Sequence, residues 1–182
     1  HHRYVAPRLD PEGSRPKPQP SRGYRDSTCL PGRLDSLGSR GVLGGAVMVP
    51  CARPGGLHPV TEASLRAALF TTGPWELPRP QEFTDVHGDW ATDDLSVAPV
   101  MMPADPWSWH GGSELVRGRL WGGCLEILSW TLGVGKHLLP SYEGRVLLLE
   151  TSDEMPGAEV VYQFLRVMGE RGLLQQFAGL IV

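Results

Sequence analysis

The sequence of 182 residues predicts an α/β protein, on three observations from its last third. The run Arg145-Val146-Leu147-Leu148-Leu149-Glu150 is short, aliphatic and strand-like, as expected of a strand buried on both faces of a parallel sheet. Val160, Val161, Phe164, Leu165 and Met168 then recur at helical spacing, with Pro156 suited to the first turn and Gly172 to the end. Phe177 to Val182 is a second apolar run, so strand, helix and strand form a crossover unit of the right-handed kind.

The remaining elements follow in chain order. Residues 1–23 are rich in Pro and Arg with weak periodicity, and Gly44 to Val49 predicts a short strand. Thr61 to Phe70 predicts a helix capped by Thr61 behind Pro59, with Leu65, Ala68 and Leu69 on one face. Residues 72–112 hold Pro, Trp and acids without periodicity, as an interdomain linker with the potential of a binding loop does. Gly122-Gly123 leads into a helix over Cys124–Leu132. The expected domains are 1–71, a linker at 72–113, and 114–182. The chain opens without an initiator Met and stops within an apparent buried strand, so the expectation is a partial domain at each end.

Composition narrows the class. With 41% hydrophobic and 20% charged residues the chain is globular rather than disordered. The net charge of −3 hides a basic start, where Arg3, Arg8, Arg15, Lys17, Arg22, Arg25, Arg33 and Arg40 outnumber the acids. Few aromatics interleave with them, so a solvated edge is favoured over a nucleic-acid surface. Cys29, Cys51 and Cys124 are far apart and outside any metal-ligand spacing, which fits reduced thiols in the cytoplasm. No membrane segment, metal or cofactor is expected.

Glu150 is the first candidate functional residue. Charge is costly to bury without a partner, yet ligands of open parallel sheets collect outside the carboxyl ends of the strands. An acid where such a strand stops is either a functional group or a strand-end acid paired with an Arg.

Three segments in order carry a family resemblance: Gly23-Tyr24-Arg25-Asp26-Ser27-Thr28, then Arg117-Gly118-Arg119-Leu120-Trp121-Gly122-Gly123-Cys124-Leu125-Glu126, then Leu147 to Glu154. Together they resemble the LD-carboxypeptidase and microcin C resistance family of serine peptidases, over most of residues 4–182. Trp107-Ser108-Trp109-His110-Gly111-Gly112 is similar to the branch nearer the microcin resistance proteins. The resemblance implies an incomplete flavodoxin-like or amidotransferase-like N-terminal domain, a partial α/β C-terminal domain, a cytoplasmic homodimer and a Ser-His-Glu triad between the domains. It implies hydrolysis of an LD-peptide bond in muropeptides, as in peptidoglycan recycling, or of a peptidyl-nucleotide antibiotic. Glu150 matches the triad acid, which orients the His and stabilises its charge. The backbone N–H of Asp26 matches an oxyanion-hole donor.

Two departures bear on activity. Arg25 occupies the nucleophile position, and a guanidinium cannot attack a carbonyl. The triad His falls beyond the family's equivalent of Val182. The expectation is therefore an impaired or inactive peptidase, with Arg25 reaching Glu150 across the cleft. The alternative is a pseudoenzyme that binds a peptide or nucleotide-like ligand. Trp107, Trp109 and His110 are either a stacking site for such a ligand or a packed aromatic loop. Gly122, Gly123 and Glu126 either line the cleft at a helix start or belong to an ordinary helix with an exposed acid. Ser27 and Ser152 flank the site, but neither has a His near it in sequence to act as base.

Overall fold

The computed structural model describes residues 56–71, 73–84, 86, 91, 96–112, 114–152 and 155–182. Residues 56–112 and residues 114–182 belong to different compact units. The expected strand at Gly44–Val49 lies outside the described residues.

In the first unit, helix α1 spans Pro59–Phe70. Proline suits the first helical position because its missing N–H would have no partner there and its φ is already helical. The helix therefore starts at Pro59, with His58 before it, and Thr61 lies inside the first turn rather than capping it. Ala67 is the buried position, while Ala68, expected on the inner face, is exposed. Beyond the helix, β1 (Glu82–Phe83) pairs antiparallel with β2 (Met102–Pro103), a small ladder in a region where no regular structure was expected. Arg79 Nη2 donates to the Ala104 carbonyl at 2.9 Å, and His58 Nε2 meets Glu82 Oε1 at 3.1 Å.

The second unit is built on a parallel sheet in the order β3-β4-β5. β3 is Leu120–Cys124, β4 is Val146–Glu150 and β5 is Gly179–Ile181. Helix α2 (Leu125–Val134) follows β3 directly, and helix α3 (Ala158–Glu170) joins β4 to β5. The expected strand–helix–strand unit is thus present, with an earlier strand added at its edge. On β4, Leu147 and Leu149 are buried, whereas Val146 and Leu148 on the other face are only half-buried. The fully buried face forms one core with Leu125, Leu128 and Leu132 of α2 and Phe164 and Met168 of α3. Each such side chain contributes about 1.5–3 kcal/mol by leaving water.

Local chemistry sets the ends. α3 starts after Gly157, so Pro156 stands before the helix and not in its first turn. It closes with Gly172 at φ 67°, where the Leu173 N–H reaches the Met168 carbonyl at 2.9 Å and the Gly172 N–H reaches Gly169 at 2.9 Å. This left-handed closure satisfies carbonyls that the helix leaves open. Arg171 Nη1 adds a bond to the Leu132 carbonyl of α2 at 3.0 Å, tying the two helices together. Tyr142, Trp121 and Phe177 pack as an aromatic group, with the Trp121 and Tyr142 rings 4.6 Å apart.

Candidate functional site

β3 and β4 end level with each other. Their register pairs Gly122 with Leu148 and Cys124 with Glu150, so the two carboxyl ends open together. The close approach depends on Gly122. Its φ is 143°, and a Cβ there would collide with the Leu148 backbone. The sequence placed Gly122 and Gly123 at a helix start. They are buried strand residues instead, and the space a side chain would need at Gly122 is filled by the neighbouring strand.

Because α2 begins at Leu125, Glu126 falls in its first turn, beside the strand ends. Its Oε1 accepts from the Ser152 N–H at 3.1 Å and from the Ser152 hydroxyl at 2.6 Å. Its Oε2 accepts from the Cys124 thiol at 3.2 Å. Desolvation is the largest influence on Glu126 and would raise its pKa. The bonds from Ser152, its own N–H and Cys124 outweigh it and leave the pKa lowered. Cys124 is 1% exposed. Burial chiefly pushes its thiol up to about 11, and the bond to Glu126 and its negative charge add to the rise.

Glu150 is exposed at the end of β4. Enough protein surrounds its carboxyl for desolvation to raise the pKa, with the negative charge of Glu126 as the second cause. These two acids therefore titrate in opposite directions from the glutamate norm, one held ionised by donors and the other made readier to take a proton. A carboxylate so placed can orient an imidazole and stabilise its positive form.

The other sequence candidates are distributed as follows. Trp107 and Trp109 meet edge-on at 6.4 Å, with Trp109 82% exposed, and His110 beside them is exposed too. They are in the first unit and Glu150 is in the second. Arg25, Asp26 and Ser27 lie outside the described residues, and so does any Arg25–Glu150 pair. No three His, Cys, Asp or Glu residues cluster as a metal site among the described residues, and no helix there is long and apolar enough to cross a membrane. Sequence reasoning missed the parts of Cys124 and Ser152. The spacing Cys-Leu-Glu before a helical run hints at the first, but nothing local signals that Ser152 meets an acid 26 residues earlier.

A parallel sheet with an acid at its central strand end is the class of site this unit presents. Residues 117–182 match the family model described as the LD-carboxypeptidase C-terminal domain. Over these residues the chain is similar to the LD-carboxypeptidase family. No curated protein matches the chain. Among solved structures, the fold is similar to that of MccF in complex with glutamyl sulfamoyl guanosine (TM-score 0.76, 19% identity, 97% of this chain and 52% of that one). It is similar also to microcin C7 self immunity protein MccF in complex with aspartyl sulfamoyl adenosine (TM-score 0.75, 20% identity, 97% and 52%). A third is an MccF-like protein from Streptococcus pneumoniae in complex with AMP (TM-score 0.66, 23% identity, 87% and 50%). The chain spans about half the length of these structures.

Proposed function

We propose that this chain is the acid-bearing part of an LD-carboxypeptidase-type serine peptidase, with Glu150 as the triad acid. The observation that carries the reading is the place of Glu150. It ends the central strand of a parallel sheet, inside the segment that matches the family's C-terminal domain. In the reaction, Glu150 would accept the N–H of the triad imidazole and stabilise its charge while a serine attacks the carbonyl. The bond broken is an LD-peptide bond of a muropeptide or the acyl linkage of a peptidyl-nucleotide. Nucleotide-bearing ligands are favoured by the complexes of similar fold. The exposed Trp107–Trp109 pair offers aromatic faces on which a base can stack.

Arg25 at the nucleophile position makes hydrolysis by this chain impaired or lost. The test is to incubate the chain with aspartyl sulfamoyl adenosine and, separately, with an LD-tetrapeptide. Binding is followed by calorimetry and release of product by mass spectrometry. Binding without product is the expected result. Product formed at a rate proportional to chain concentration would overturn the impairment, and no binding of either compound would overturn the ligand class.

A further inference from the structure

We infer that Glu126 is a positioning residue: its carboxylate anchors the chain just beyond Glu150 through Ser152, and so fixes how Glu150 is presented at the ends of β3 and β4. Three contacts carry this. Oε1 takes both the backbone N–H and the hydroxyl of Ser152, and Oε2 takes the thiol of Cys124. Cys124 is the register partner of Glu150, while Ser152 stands two residues past it. Glu126 thus spans the end of β3, the start of α2 and the segment leaving β4. Both its oxygens are engaged by protein donors, which holds the carboxylate in one orientation. Charge-assisted bonds of this kind are about twice as strong as neutral ones, which suits a fixed anchor. Glu126 on α2 and Cys124 on β3 are the titratable groups of the described residues that face Glu150 from the elements packed against it.

The functional meaning of this anchor rests on the reading of Glu150 as the working acid, but the anchor can be tested apart from it. Isotope-labelled full chain is compared with Glu126→Gln and Glu126→Ala by nuclear magnetic resonance. The readouts are hydrogen exchange at the Ser152 amide and the titration midpoint of the Glu150 carboxyl. The Leu147 and Leu148 amides report that the sheet is intact. Glu126→Ala is expected to speed exchange at Ser152 by about tenfold or more, from the loss of a bond to a charged acceptor. Glu126→Gln keeps an oxygen for Ser152 and should retain most of that protection. In both variants the Glu150 midpoint should fall, because a negative neighbour is gone. Unchanged Ser152 exchange in Glu126→Ala, or an unmoved Glu150 midpoint in Glu126→Gln, would overturn the proposal. Binding of aspartyl sulfamoyl adenosine by the parent chain separates the two ideas. No binding of it or of an LD-tetrapeptide, with the resonance changes present, sinks the ligand class of the proposed function alone, and binding without those changes sinks the anchor alone.

Discussion

Replacing Gly122 by alanine tests the geometry on which the site depends. A methyl group there would be built against the Leu148 carbonyl oxygen, with the carbonyl carbon at 2.7 Å and the amide nitrogen at 2.9 Å. Non-bonded carbon contacts are optimal at about 3.5–4.0 Å, so the strands would have to part by roughly 1 Å. β4 is the central strand, paired on both sides, and cannot retreat without weakening one ladder. Overpacking of this kind costs about 1–3 kcal/mol. A side chain at φ 143° is strained as well, at about 1–3 kcal/mol. The sum, about 2–6 kcal/mol, is a large part of the roughly 5–15 kcal/mol that stabilises an ordinary domain. In urea unfolding followed by circular dichroism the midpoint should fall by about 1 M or more. Gly133→Ala is the control: it lies in α2 with open space around it, and should stabilise by up to about 1 kcal/mol. A Gly122→Ala chain within about 0.5 kcal/mol of the parent would show that β3 does not press on β4 as described, and the pairing of Cys124 with Glu150 would fall with it.

Other outcomes follow from the same structure. Glu150 has a raised pKa when folded, so its ionisation opposes folding above that pKa, and the penalty disappears as pH falls below the ordinary glutamate value of 4.5. Glu150→Gln should therefore raise the urea midpoint at pH 7, with the gain shrinking as pH falls through the raised folded value and gone below about pH 4.5. Glu126 has a lowered pKa, so its contribution is present above 4.5 and is lost as pH falls through its folded value; Glu126→Gln should destabilise at pH 7 in the same assay. The Cys124 thiol, buried and pushed up to about 11, should resist iodoacetamide at pH 8 in the native chain and react once urea unfolds it, as read by peptide mass mapping. Gln176→Ala should cost about 1–2 kcal/mol in urea unfolding, because its side chain accepts from the Tyr142 N–H at 2.8 Å and donates to the Gly172 carbonyl at 2.9 Å.

What could be read from the sequence was what repeats locally. Val146–Glu150 and the stripe on α3 announced themselves by aliphatic density and helical spacing, and both elements are where the pattern put them to within about two residues. β3 was illegible because Gly122 and Gly123 carry no strand preference. Their role is set by the Leu148 backbone, a long-range contact that no window of sequence contains. Thr61 looked like a cap, but Pro59 could occupy the first helical position without loss and the helix started there. Glu150 was visible as a charge at the end of an apolar run. Glu126 drew notice only as an acid near a helix start, since its partner Ser152 comes from another part of the chain.

Residue-resolved ligand mapping tests most directly whether Glu150 marks a working crevice. Aspartyl sulfamoyl adenosine titrated into labelled chain should shift the amides of Gly123, Cys124, Glu150, Thr151 and Ser152, at the carboxyl ends of β3 and β4. Shifts confined to other surfaces, or none at millimolar ligand, would contradict the assignment of this crevice as the substrate site.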